Sequence, residues 1–242
     1  MTKQNKDKIC KQSTIAQKNI AIIDDENKKN INLNKNLNKK IILASGSQGR
    51  LEILQKMFIK PDYIIVPNIP EPIIKREKPR DMSIRVAKAK ADKALEMVLS
   101  DEKISKHSII IVGDTVACCG NMILDKTKND DDVRKCLQKI NGHGTRIYST
   151  TCIIDVETGR RSLKTAEARL KMRYLQPDEI DFYISTKQGV GKAGGYAIGQ
   201  FACCLFEKII GEYTTIIGLP AVQVYNTLRS FGYKFQIPST DK

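Results

Sequence analysis

Residues 41–54, Ile-Ile-Leu-Ala-Ser-Gly-Ser-Gln-Gly-Arg-Leu-Glu-Ile-Leu, constrain the fold more than any other stretch of the chain. Four apolar residues without polar alternation predict a buried strand, and Leu51, Leu54 and Phe58 then recur at helical spacing. The turn between them therefore stands at a helix N-terminus. Unpaired backbone N–H groups and the positive end of the helix dipole gather there, and Ser45, Ser47 and Arg50 add donors aimed at the same place, so the turn suits an anion. Taken alone, the same residues also fit an N-cap serine and a solvated arginine.

Residues 63–66 read as a second strand, after which Pro67, Pro70, Pro72 and Pro79 impose an irregular loop around Glu71. A helix is predicted over 81–99, with Ala87, Ala91 and Val98 on its apolar face and Lys90 beside that stripe. Residues 108–112 form an apolar run of buried-strand type, expected to end at Gly113-Asp114-Thr115. That ending places a carboxylate at a strand's carboxyl end, where open α/β sheets locate ligand chemistry. A turn or capping aspartate is the other reading of Asp114. Residues 116–119 and 122–124 then make a hairpin about Gly120-Asn121, which returns Asp125 and Lys126 toward Asp114. A lysine so placed either forms a surface ion pair or neutralises a phosphate between the two.

Asn129 or Asp130 caps a helix bearing Val133, Leu137 and Ile140 and closed by Gly142. Two strands follow over 146–155 and 162–174. In the second, Ala166, Ala168, Leu170, Met172 and Tyr174 alternate with charged residues, so one face is buried and the other wet. Pro177 starts a helix to about Thr186. Residues 188–218 are rich in glycine, which serves either tight turns or close approach of backbone to a ligand. A last helix covers 221–231.

Composition narrows the class. A chain of 242 residues with 41% hydrophobic residues supplies a sizeable core. No apolar run approaches the roughly 18 residues of a membrane span and the N-terminus lacks the apolar core of a secretory signal, so a cytoplasmic protein without a membrane partner is expected. Seven cysteines, an odd number without a Cys-x-x-Cys, indicate neither a disulfide framework nor a zinc site and are read as small core residues. Of the net charge of +14, residues 1–40 carry +6. Residues 1–39 read as a disordered Lys/Asn-rich extension and 40–242 as the folded domain. The domain shows no basic stripe with interleaved aromatics, so no specific nucleic acid is expected, while polyanions such as nucleoside triphosphates are attracted.

Four blocks, in order, resemble the Maf family of nucleoside triphosphate pyrophosphatases: Ile42 to Arg50, Gly113-Asp114-Thr115-Val116, Ile123-Leu124-Asp125-Lys126, and Lys192-Ala193-Gly194-Gly195-Tyr196 running on to Gly218-Leu219-Pro220. The resemblance covers roughly residues 40 to 235. It implies a mixed α/β fold, a twisted sheet with flanking helices in two lobes around a cleft, often as a homodimer. It also implies hydrolysis of a nucleoside triphosphate to the monophosphate and pyrophosphate, with a divalent cation such as Mg or Mn. Carried over position by position, Ser45, Ser47 and Arg50 hold phosphate, Glu71 and Asp114 serve the metal and the attacking water with Asp114 as base, and Lys90 and Lys126 counter phosphate charge. Two departures and one match bear on substrate. The family's Pro-Arg-Arg is here Gln48-Gly49-Arg50, which predicts a weaker phosphate grip. Its Ile-Gln-Gly is here Ile198-Gly199-Gln200, so the base-reading glutamine is either displaced by one place to Gln200 or absent. Thr115 matches the pyrimidine-type subgroup, so pyrimidine or modified nucleotides are favoured. The alternative is a non-catalytic nucleotide-binding or division-regulating protein on the same fold.

Overall fold

Isoleucine-rich runs pair side by side at the centre of the molecule: Lys40 to Ala44 lies parallel to Ser108 to Val112, in register from Lys40↔Ser108 to Ala44↔Val112. The computed structural model describes residues 38 to 235, so most of the extension read over residues 1–39 lies outside the described residues. Lys39 is already tied to the domain, its Nζ 2.6 Å from the buried carboxylate of Asp155.

The elements in order are β1 (Lys40–Ala44), α1 (Gln48–Lys56), β2 (Tyr63–Ile65), α2 (Pro79–Ser100), β3 (Ser108–Cys119), β4 (Met122–Leu124), α3 (Asp130–Ile140), β5 (Gly144–Asp155), β6 (Arg161–Met172), α4 (Pro177–Ser185), a 3-10 turn (Phe201–Leu205), β7 (Phe206–Ile210), α5 (Tyr213–Ile217) and α6 (Ala221–Ser230). They form the mixed α/β architecture that the sequence suggests. Seven strands make one sheet in the order β2-β1-β3-β5-β6-β7, with β4 paired to β3 off that path. The β2-β1-β3 pairs are parallel and the others antiparallel.

The period-2 alternation of strands sorts the core onto two faces. Ile41, Leu43, Ile109, Ile111 and Ile153 pack with α1 and α6 through Ile53, Leu54, Val224 and Leu228. Ile42, Ala44, Ile110, Val112 and Ile154 pack on the other face against Ala91, Ala94 and Val98 of α2. Beyond the end of β1 the long strands continue into a second core, where Ile147, Ala168, Leu170 and Met172 meet Val133 and Leu137 of α3 and Ile180 and Tyr183 of α4. The N-cap of α3 is Asn129, whose side chain accepts from the backbone N–H of Asp132.

Four expectations are corrected. β3 does not end at Gly113 but runs through to Cys119, because β5 pairs with it without a break from Ile109↔Asp155 to Cys119↔Thr145. Phe58 is not on the apolar face of α1; the helix ends at Lys56, and Phe58 has φ 57 and is largely exposed. β6 ends at Met172, so Tyr174 lies outside it and faces solvent. Cys118 and Cys152 are buried as core residues, whereas Cys203 and Cys204 are exposed on the 3-10 turn.

Candidate active site

Where β1 stops, β3 continues, and a cavity of about 950 Å3 opens in the gap. All nine residues singled out from the sequence line it: Ser45, Ser47, Arg50, Glu71, Lys90, Asp114, Thr115, Lys126 and Gln200.

The floor is the turn leading into α1. Ser47 occupies the N-cap position of α1, but its side chain makes no capping hydrogen bond, so the first amides of this nine-residue helix face the cavity without that partner. Ser45 is buried, and its Oγ accepts from the backbone N–H of Ser47 at 3.2 Å and from Arg50 at 2.8 Å. Arg50 is not the solvated side chain that helix-surface spacing allows. Its guanidinium is buried and donates through Nε to the carbonyl of Gly218 at 2.9 Å and through the second terminal nitrogen to Thr115 Oγ1 at 3.2 Å. Burial pulls the guanidinium's pKa below its ordinary value, while the charges of Asp114 and Glu71 oppose that shift. Arg50 therefore joins the turn, β3 and the end of α5, and supplies positive potential from beneath the cavity rather than an exposed fork.

Two glycines make that burial possible. A Cβ at Gly113 would stand 2.8 Å from Arg50 Nε, and one at Gly218 would stand 2.9 Å from Thr115 Oγ1 at a backbone φ of +112. The Thr115 hydroxyl also shares a 2.9 Å hydrogen bond with Ser149, whose own Oγ donates to the carbonyl of Thr215.

The wall above holds the carboxylates. Asp114 is buried in mid-strand, just past the last residue of β1, and Lys90 reaches it from α2 with Nζ 2.8 Å from Oδ1. The same Nζ is 2.7 Å from Oε1 of Glu71, a half-exposed residue of the proline-rich loop. Two carboxylates 43 positions apart in sequence thus converge on one cation. Arg85 steadies this loop by donating to both oxygens of Glu77 at 2.7 Å and to the carbonyl of Pro72 at 2.9 Å.

The facing wall is the hairpin return and the glycine-rich segment. Lys126 forms an isolated antiparallel bridge with Ala193, and Thr127 Oγ1 donates to the carbonyl of Gly189 at 2.7 Å. The segment uses its glycines for tight turns. Gly194 and Gly195 have positive φ in tight turns, while Lys192, Tyr196 and Gln200 line the cavity. Burial pushes the Tyr196 hydroxyl up to about 12, so it remains protonated at neutral pH.

Sequence reasoning assigned no role to Lys56 and Lys192, which also line the cavity. For Lys56 a signal existed: Gly49, Ile53 and Lys56 fall at i, i+4 and i+7 on α1, and all three face the site. The arrangement brings a helix N-terminus, four lysines and a buried arginine around a carboxylate pair, which suits binding a polyphosphate and directing water at it.

The Maf-like protein family model matches residues 40–231. A dTTP/UTP pyrophosphatase from Chelativorans sp. (strain BNC1) is 35% identical over 195 residues, covering 81% of this chain and 92% of that one. A nucleoside triphosphate pyrophosphatase from Rickettsia canadensis (strain McKiel) is 37% identical over 199 residues, covering 81% and 96%. Among solved structures, a HAM1 protein from Coxiella burnetii is similar with a TM-score of 0.42 and 10% sequence identity, covering 79% of this chain and 99% of that one.

Proposed function

The chain belongs to the Maf-like protein family, and on that premise we propose that it hydrolyses a nucleoside triphosphate between the α and β phosphates, releasing the monophosphate and pyrophosphate. The observation that carries this reading is the meeting of Glu71 and Asp114 on Lys90 opposite the uncapped N-terminus of α1, within one cavity.

In this reading the triphosphate lies along residues 45–49. The amides at the start of α1 and the hydroxyl of Ser47 take phosphate oxygens, and the buried charge of Arg50 adds attraction from below. Lys126 and Lys192 approach from the facing wall and balance the charge that builds on the leaving pyrophosphate. Asp114 orients a water molecule toward the α phosphorus and takes its proton. Lys90 keeps both carboxylates aimed at the same point. Gln200, on the exposed rim, meets the base edge. Thr115 acts on base choice through its bond to Arg50, and a pyrimidine or modified base is the favoured substrate, in keeping with the dTTP/UTP name of one relative.

Glu71 and Asp114 would also hold a divalent cation such as Mg or Mn. Their fit rests on geometry, since both already converge on a single positive charge, and on their hard oxygen donors. Among the described residues no group of three or more His, Cys, Asp or Glu gathers for a metal, so such an ion would take its remaining ligands from water and phosphate. When bound, it supplies charge neutralisation at the phosphates.

The test is pyrophosphate release by the purified protein and its Asp114→Asn variant across ordinary and modified nucleoside triphosphates, with Mg or Mn. The expected result is release by the parent, a loss of at least about 100-fold in the variant, and nucleotide binding retained in both. A folded parent that binds nucleotides and releases no pyrophosphate from any of them would replace this reading with a non-catalytic binding role.

A further inference from the structure

Strand alternation in the second core puts Thr145, Ile147, Ala168 and Leu170 inward, so the residues between them face outward from β5 and β6. Those outward positions are cationic and oppose one another. Arg146 is the direct cross-strand partner of Arg169, and Lys171 is the direct partner of Lys208 on β7. All four are exposed. Like charges directly opposite in an antiparallel pair destabilise the sheet, and here two such pairs stand side by side.

The four side chains border a shallow cavity of about 400 Å3, separate from the nucleotide cavity. Gly120 and Gly144 lie at its edge, where they contribute no side chain. The carboxylate nearest these pairs on β6 is Glu167, which is held by Arg169 at 2.5 Å and also attracts Arg146, whose guanidinium hydrogen-bonds the Tyr148 hydroxyl. Lys171 donates to the carbonyl of Gly142, and among the described residues Lys208 has no acidic partner within ion-pair distance. The tyrosine of this face, Tyr148, is buried, so it offers no aromatic surface for stacking bases.

We propose that this outer face of β5, β6 and β7 is a second anion site, which takes a condensed phosphate, free or as the tail of a nucleotide, by charge alone. A polyanion lying across the two cationic pairs screens both repulsions at once, so binding and local stability are coupled. With Tyr148 buried, the only exposed ring beside the patch is Tyr174 next to Gly142, among the described residues, and one ring at the edge favours a small condensed phosphate over a run of stacked bases. The proposal does not depend on the hydrolytic reading of the other cavity.

The experiment is calorimetric titration of the full chain with tripolyphosphate at low salt, repeated with a nucleoside triphosphate and with a single-stranded oligonucleotide, for the parent, Arg146→Glu/Lys208→Glu and Lys126→Ala. The parent is expected to show two tripolyphosphate sites. The double variant loses one, with affinity there down by at least about tenfold, while Lys126→Ala keeps it. In phosphate-free buffer Lys208→Glu alone should melt higher than the parent, because it turns the Lys171–Lys208 repulsion into an attraction. The milder Arg146→Gln/Lys208→Gln variant repeats the measurement without charge reversal. Equal tripolyphosphate binding by parent and both double variants overturns the proposal, as does a face that binds the oligonucleotide and not tripolyphosphate.

Discussion

The Nε of Arg50 lies 2.9 Å from the carbonyl oxygen of Gly218, 168 positions later in the chain. This bond, with those to Ser45 and Thr115, makes one buried guanidinium the junction of three segments around the cavity. Lysine at this position keeps the charge but not the planar fork. Arg50→Lys is expected to cost about 2–4 kcal/mol in urea unfolding, since it leaves buried acceptors unpaired, and to weaken nucleotide binding as well.

Gly49 bears on the missing second arginine in a way that side-chain identity alone does not reveal. A Cβ there would stand 2.9 Å from Cγ2 of Ile217 and 3.4 Å from its carbonyl oxygen. Gly49→Arg is therefore expected to lower the melting temperature and to give little gain in pyrophosphate release. Adding Ile217→Ala should recover most of the lost stability relative to Gly49→Arg alone, a non-additivity that a double-mutant cycle measures.

Lys90 occupies the point on which the carboxylates converge, so it would compete with the proposed divalent cation for the same oxygens. Lys90→Gln is expected to strengthen Mn2+ binding in calorimetry, because Glu71 and Asp114 lose their internal counter-charge. Pyrophosphate release should nevertheless fall, because nothing then holds the two carboxylates to a common aim. Weaker Mn2+ binding in this variant would count against those carboxylates as the metal donors.

The loop carrying Glu71 has a pH-sensitive fastening. The hydrogen bond from Arg85 holds the Glu77 carboxyl below its usual range, so the contribution of this pair is fully present above the ordinary glutamate pKa and is lost as pH falls through the lower folded value. Amide exchange in residues 67–78, corrected for intrinsic rate, should rise below about pH 4. Glu77→Gln should show the faster exchange already at neutral pH.

Thiol chemistry separates the cysteines by burial. Desolvation pushes Cys118 and Cys152 up to about 11, whereas Cys203 and Cys204 are exposed with sulfurs 3.9 Å apart. Brief alkylation at pH 8 should label Cys203 and Cys204 well before Cys118 and Cys152, as peptide mass spectrometry would read.

Much of the site was legible because its parts are local. The strand, turn and helix of residues 41–54, the hairpin that returns Lys126, and the position of Lys90 beside an apolar stripe all follow from periodicity and turn chemistry. Asp114 was found for a partly mistaken reason. It does lie past the end of a parallel pair, but the strand that carries it continues, because β5 supplies partners that a single segment cannot reveal. The inward turn of Arg50 was illegible for the same kind of reason, since its acceptor at Gly218 and the room at Gly113 are set by distant chain. Lys192 carries no local signal, because only the docking of Ala193 against Lys126 brings that loop to the cavity.

The twelve-residue strands β3 and β5 pair across both cores and pass beside the cavity without interruption. Mechanically they are a continuous beam, and a beam has no elbow. Closing the two cores on a substrate as hinged jaws would have to bend or break this ladder, whose pairing runs unbroken from Ile109↔Asp155 to Cys119↔Thr145. The irregular segments that line the cavity within residues 66–71 and 191–200 stand outside this ladder.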